Sequence, residues 1–200
     1  MADLISCSYN DRLPELRQTL LDLLCTTAYK EGDFTLSSGK KSTYYINGKL
    51  VTLHPQGGKL VGQVLLSMIS DDTVAVAGLT LGADPIVSAV NVVAAYEERS
   101  LTALIVRKEA KGHGTKVYIE GPTLPSGSPV IVLEDVVTTG NSAMKAVDRL
   151  RDAGYVVNQV ISLVDRQQGG AEFYKEQGID FKAVYTIADL QSRWQELKPA

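Results

Sequence analysis

Apolar residues at Leu13, Leu16, Leu20, Leu23 and Leu24 recur at helical spacing, with Pro14 suited to a first turn and Gly32 to the end of the segment. The period then changes. FTLSSGKKSTYYIN (34–47) predicts two short strands joined by a Ser-Gly-Lys turn, and GKLVGQVLLSMIS (58–70) returns to a helical pattern. Farther on, short all-apolar runs alternate with helical segments: VAVA (74–77), a helix from Pro85 to Glu98, LTALIV (101–106), VIVL (130–133), a helix from Ser142 to Ala153, VISLV (160–164) and KAVYT (182–186). Strands that are apolar on both faces and separated by helices predict an α/β fold whose central, mainly parallel, five-stranded sheet is flanked by helices. Residues 1–57 include a small N-terminal helix-and-hairpin hood, and with no repeat and no Pro- or Ser-rich linker the chain, 1–200, reads as a single domain.

Composition narrows the classes of function. Two hundred residues, 44% apolar and 22% charged, suffice for one full core; chains of this size bury roughly 70% of their unfolded surface. A net charge of −3, from 20 basic and 23 acidic residues, provides no global field for nucleic acid or anionic lipid, so any anion site must be local. Cys7 and Cys25 are too few for a disulfide framework and wrongly spaced for zinc, which favours a reducing compartment. The start MADLISCSYNDR lacks a basic segment followed by a long apolar one, and no apolar run reaches the ~18 residues of a membrane span. A cytoplasmic protein without nucleic-acid or membrane partners is expected.

In sheets of this kind ligands bind beyond the carboxyl ends of the strands. The four loops there are GLTLGAD (78–84), RKEAKGHGTK (107–116), EDVVTTGNS (134–142) and DRQQGG (165–170). GHGTKV lacks the third glycine of a dinucleotide fingerprint, and no Walker-type phosphate loop is present. The third loop carries the most chemistry. Where Thr138, Thr139, Gly140, Asn141 and Ser142 turn into a helix, free backbone N–H groups, the helix dipole and hydroxyls form a phosphate cradle, and Gly140 permits close approach. Glu134 and Asp135 would repel a phosphate but would accept hydrogen bonds from the vicinal hydroxyls of an adjoining ribose. Ser142 as a plain helix cap beside two solvated acids is the alternative, but it leaves unexplained why an all-apolar strand should deliver an acidic pair into such a loop.

VIVLEDVVTTGNSA (130–143) resembles the phosphoribosyl-pyrophosphate signature of the type I phosphoribosyltransferases. FTLSSGKKSTYYING, RKEAKGHG and VDRQQGG resemble, in order and spacing, the orotate-specific enzymes of that family, from about Phe34 to Gly170. The resemblance implies the type I phosphoribosyltransferase fold and Mg2+-dependent transfer of ribose 5-phosphate from 5-phosphoribosyl 1-pyrophosphate to orotate, in pyrimidine biosynthesis. It implies donor contacts along Glu134, Asp135, Val136, Val137, Thr138, Thr139, Gly140, Asn141 and Ser142, with the two acids on the ribose. Arg107, Lys108, Lys111 and His113 would face pyrophosphate from a loop that folds over the site. Lys111 and His113 are the candidate proton donors to the leaving group, with Asp135 as a further catalytic residue. Magnesium would keep most of its ligands on substrate and water, so no protein metal cage is expected. Arg166 would pair with the orotate carboxylate, or instead form a salt bridge with Asp165; the backbone around Tyr44, Tyr45 and Ile46 would read the ring edge. A homodimer with shared active sites is implied as well.

Two positions depart from the family pattern. Lysines that many members carry in the hairpin and after the first sheet strand are replaced by Ser37 and Gly82. Lys40 or Lys41 is a candidate substitute for the first, and the loop 78–84 retains backbone amides and the Thr80 hydroxyl for pyrophosphate. A purine or uracil phosphoribosyltransferase is the alternative, opposed by the hairpin and the DRQQGG loop. A non-catalytic regulator that senses the sugar diphosphate is a further one, opposed by the basic loop and the net negative charge.

Overall fold

The computed structural model describes residues 12–35, 39, 41–110 and 118–198. Ser37, Lys40, Lys111 and His113, with Cys7, lie outside them.

The first helix, α1 (Leu13–Leu23), buries Leu16 and Leu20 one turn apart and starts on Pro14. It widens into a single π-helical turn, Leu24–Ala28, and passes directly into β1 (Tyr29–Thr35). Gly32 therefore does not end the helix. It lies inside β1 at φ +149°, where the register with β2 (Lys41–Ile46) shifts between Glu31 and Phe34. The helix ends earlier because the Tyr29 ring, 1% exposed, is drawn between Tyr44 and Trp194, which commits the backbone to a strand. A short helix, α2 (Lys49–Thr52), which no periodicity announces, leads to α3 (Pro55–Leu66). α3 begins before Gly58 because His54 caps it, Nδ1 accepting from the Gly57 N–H at 3.4 Å.

The main sheet has six strands rather than five, in the order β5-β4-β3-β6-β7-β8. β3 (Ala75–Leu79), β4 (Thr102–Val106), β6 (Pro129–Val137), β7 (Val156–Asp165) and β8 (Asp180–Thr186) are mutually parallel. The addition is β5 (Ile119–Glu120), which returns antiparallel along β4, Val106 facing Ile119, and is too short to leave a period of its own. Helices α4 (Asp84–Tyr96), α5 (Asn141–Asp152), α6 (Gly170–Glu176) and α7 (Ile187–Leu197) complete the described elements. One core, holding Leu65, Ile86, Leu133 and Ile161, joins one sheet face to the hood; the other, holding Leu104, Val132, Leu150 and Tyr174, lies on the opposite face. Each fully buried leucine contributes roughly 2 kcal/mol. A Cβ on Gly62 of α3 would meet Ala89 O of α4 at 2.7 Å, so glycine is what lets these helices touch.

Both strands that supply the candidate site are longer than their apolar runs. β6 continues through Glu134 and Asp135 to Val137, because pairing with β7 persists at Glu134–Ser162, Val136–Val164 and Val137–Asp165. The acids thus belong to a strand end, not to a loop. Backbone pairing does not require apolar side chains, so the polar change at residue 134 marks where the site starts, not where the strand stops.

Candidate active site

β3 is flanked by β4 on one side and β6 on the other, so the winding of the sheet reverses between β3 and β6. Such a reversal opens a crevice at the carboxyl ends of the two strands. The loop after β3 and the end of β6 meet there. A Cβ added to Gly82 would stand 2.8 Å from Asp135 Oδ1 and 3.2 Å from Glu134 Oε1. The Thr80–Leu81 peptide bond of this loop is cis.

The acidic pair is unequally solvated. Glu134 is 7% exposed, and its Oε2 has no hydrogen-bond partner among the described residues. Burial, reinforced by the adjacent Asp135 charge, pushes its carboxyl up to about 8, while Lys108 draws it down. Asp135 is better supported: Oδ1 accepts the Val136 N–H at 2.9 Å, and Oδ2 lies 3.9 Å from Lys49 Nζ. A buried carboxylate oxygen without a donor is costly unless a ligand supplies one, and a sugar hydroxyl is such a donor.

Beyond β6, Gly140 occupies the N-cap of α5 at φ +84°, and no side chain caps the helix. The first-turn N–H groups therefore stay available to an anion, and the plain-cap role considered for Ser142 is not seen. Thr139, Asn141 and Ser142 are exposed around this turn, with Asn141 Nδ2 donating to Thr139 Oγ1 at 3.0 Å. The turn is held from below. Tyr174 OH donates to Gly140 O at 3.0 Å, and a Cβ on Gly140 would strike the Phe173 ring at 2.7 Å. Val136 and Val137 pack their side chains into the two opposite cores, which leaves only their backbone to a ligand.

The basic loop is described only at its base. Arg107 is engaged with Glu120, Nη1 to Oε1 at 3.2 Å, and its Nε donates to Glu109 O at 3.3 Å. Lys108 is near enough to lower the proton affinity of both Glu134 and Asp84. Arg149 of α5 donates to the carbonyls of Arg107 and Lys108 and stacks on Tyr118, 4.1 Å from the ring centroid. It thereby ties both ends of the loop to the helix whose other end forms the cradle. No sequence signal distinguished Arg149 from a solvated helix residue.

At the hood, Arg166 makes no described contact with Asp165, whose Oδ1 instead accepts from the Gln167 N–H at 2.8 Å. Arg166 Nε donates to Tyr44 OH at 3.2 Å, Nη2 to Ser42 Oγ at 3.4 Å, and the guanidinium lies 4.8 Å from the Tyr44 ring centroid. Gln168 Nε2 also donates to Tyr44 OH, at 3.4 Å. Strand alternation places Tyr45 on the other side of β2, 43% exposed and against Phe34, so its ring does not join this group. Lys41 bonds Thr35 Oγ1 at 2.9 Å across the hairpin. Among the described residues no three His, Cys, Asp or Glu side chains are grouped to hold a metal ion.

The comparisons with known proteins agree with this geometry. Residues 77–190 match the family model described as uracil phosphoribosyltransferase. That span holds the crevice and the cradle but omits the hood, where Ser42 and Tyr44 meet Arg166. Over the longer range, the chain is 74% identical across 182 residues to an orotate phosphoribosyltransferase of Nostoc, covering 91% of this chain and 88% of the relative. It is 66% identical across 184 residues to the orotate phosphoribosyltransferase of Synechocystis, covering 92% and 93%. The crystal structure of Mycobacterium tuberculosis orotate phosphoribosyltransferase in complex with 5-phospho-α-D-ribosyl 1-diphosphate superposes with a TM-score of 0.73 at 35% identity, covering 88% of this chain and 99% of that one. A hood that brings Arg166 to Tyr44, set over a donor crevice and shared in sequence with these relatives nearly end to end, identifies the chain as a member of the orotate phosphoribosyltransferase family.

Proposed function

We propose that this protein transfers ribose 5-phosphate from 5-phosphoribosyl 1-pyrophosphate to N1 of orotate, forming orotidine 5′-monophosphate and pyrophosphate. The observation that carries the reading is the Glu134–Asp135 pair at the crevice floor, between the uncapped start of α5 and the Arg166–Tyr44 group. In this reading the donor lies across the strand ends with its 5-phosphate at residues 138–142 and its ribose hydroxyls on the two carboxylates. Orotate then lies toward the hood, with its carboxylate on Arg166. N1 attacks the anomeric carbon as the bond to pyrophosphate breaks; N1 gives up its proton to solvent, and the electron pair leaves with the diphosphate, whose departing oxygen Lys111 or His113 would protonate. Glu134 and Asp135 hold the hydroxyls of a ring that becomes cationic, and the attraction of the Asp135 carboxylate grows toward the transition state.

Lys108, with Lys111 and His113 of the same loop, would neutralise the leaving group, and closure of that loop would keep water from the activated sugar. Magnesium fits this oxygen-lined crevice: donor and water oxygens would supply most of its ligands, with Glu134 and Asp135 the protein groups nearest to it through the ribose hydroxyls they hold. When bound it offsets charge on the diphosphate.

The active unit in this proposal is a cytoplasmic homodimer. A groove of about 710 Å³ runs between α2–α3 and α4, beside the crevice, and exposes Leu53, Val92 and Tyr96. A second copy is the occupant the groove fits, because Pro85 at its edge directly follows the crevice loop and a two-fold contact there would let one basic loop reach the other subunit's donor. Cys25, a free and buried thiol, suits a reducing compartment.

The test is loss of orotate absorbance with the sugar diphosphate and magnesium, run beside uracil and hypoxanthine. Orotate alone should be consumed; consumption of uracil instead would overturn the assignment of the base.

A further inference from the structure

Lys49 faces the carboxylate pair from an element that no motif marks. Two glycines clear the space around Asp135. A Cβ on Gly48 would lie 3.4 Å from Asp135 Cβ, and Gly82 closes on Oδ1 from the other side. Lys49, next in the chain to Gly48, brings its ammonium to 3.9 Å from Oδ2. Its backbone is fixed: Gly48 O accepts from the Val51 and Thr52 N–H groups at 3.0 and 2.9 Å, and Val51 is fully buried. Its side chain is not, being 46% exposed.

Stability does not account for this placement, since an ion pair that open contributes little. The distance is also longer than the roughly 2.7–2.9 Å of a committed charge-assisted hydrogen bond. The donor changes the balance of charge. Its ribose hydroxyls would satisfy Asp135, while its diphosphate, beside the loop 80–84, finds backbone amides and the Thr80 hydroxyl but no cationic side chain from that loop. Arg107 is already engaged with Glu120. Resting on the donor orientation proposed above, we infer that Lys49 is a donor-binding residue whose ammonium pairs with the 1-diphosphate once the ribose takes Asp135. Departure of pyrophosphate then occurs against a positive charge carried by the hood side of the crevice.

Calorimetric titration of Lys49→Met, Lys49→Gln and Lys49→Arg with magnesium pyrophosphate, the sugar diphosphate and ribose 5-phosphate tests this. Both neutral variants should bind pyrophosphate and the sugar diphosphate about tenfold more weakly, with ribose 5-phosphate unchanged and affinity recovered in Lys49→Arg. Unchanged pyrophosphate affinity would overturn the inference. So would an equal loss for ribose 5-phosphate, because the lysine would then act through Asp135 rather than on the leaving group. Wild-type turnover of orotate, measured in parallel, separates the two readings. Turnover with unaltered pyrophosphate binding in the variants removes the role of Lys49 alone, whereas no turnover removes the reaction it rests on.

Discussion

Gly82 and Asp135 are in contact across the sheet reversal, with the glycine Cα so close that a methyl group on it would stand 2.8 Å from Oδ1. The carboxylate cannot turn away freely, because the same oxygen accepts the Val136 N–H. Gly82→Ala should therefore displace a ribose contact rather than unfold the chain. A fall in kcat/KM of roughly 10- to 100-fold is expected, with the melting temperature within about 4 °C of wild type. An unchanged rate would show that the acid is free to move without cost.

Asp135→Asn should remain folded and lose about 2–3 kcal/mol of transition-state binding, since an amide gives no charge-assisted bond to the ribose. Near-normal kcat/KM in the folded variant would refute the ribose assignment.

Glu134 sets a pH dependence of stability. Its carboxyl rises from 4.5 to about 8 in the fold, chiefly through burial, so the folded state binds the proton more tightly than the unfolded chain. The contribution is fully present below pH 4.5 and is lost as pH rises through about 8. Unfolding free energies from urea titrations at about pH 5, 7 and 9 should fall in the wild type, in total by on the order of a few kcal/mol. Glu134→Gln should flatten that slope. An equal slope in the variant would assign it to other groups.

Arg166→Ala should raise KM for orotate by roughly 10- to 100-fold and leave KM for the sugar diphosphate within about twofold, because only the base carries the carboxylate it would pair with. Tyr44→Phe removes the hydroxyl that orients the guanidinium at 3.2 Å. It should produce the same selective change at smaller size. Equal effects on both substrates would make Arg166 structural.

Shared sites predict complementation. Lys111→Ala and Asp135→Asn, each inactive alone, should recover up to about a quarter of wild-type activity when mixed in equal amounts under subunit exchange. Half of the dimers are then mixed, and each mixed dimer has one intact site. No recovery despite demonstrated exchange would place the loop and its site in one chain.

The strand–helix alternation after residue 70 was legible because burial on both faces of a parallel sheet demands continuous apolar runs, and the turn into α5 because Thr, Thr, Gly, Asn and Ser interrupt the apolar pattern there. What blurred was set by backbone pairing and ring packing. Glu134 and Asp135 read as a loop because polarity, not hydrogen bonding, ends an apolar pattern, and Gly32 read as a helix end although Tyr29 had already turned the chain into a strand. The two-residue β5 carries no period at all.

By itself the sequence determined the α/β class, the order of the five parallel strands and the acidic pair just before a helix start rich in Thr, Gly, Asn and Ser, since each of these is written in neighbouring residues. Tertiary structure alone decided that Gly82 closes on Asp135, that Lys49 meets the same carboxylate, that Arg149 ties down the base of the basic loop, and that Arg166 turns from Asp165 to Tyr44. The physical reason is common to all four. Each joins residues from 41 to 122 positions apart: Lys108 and Arg149 are separated by 41, Gly82 and Asp135 by 53, Lys49 and Asp135 by 86, and Tyr44 and Arg166 by 122.

 The shortest of them, between Arg149 and the Lys108 carbonyl, spans 41 positions. Contacts of that reach leave no mark on local periodicity or composition, because they exist only once the sheet has gathered its strand ends on one side.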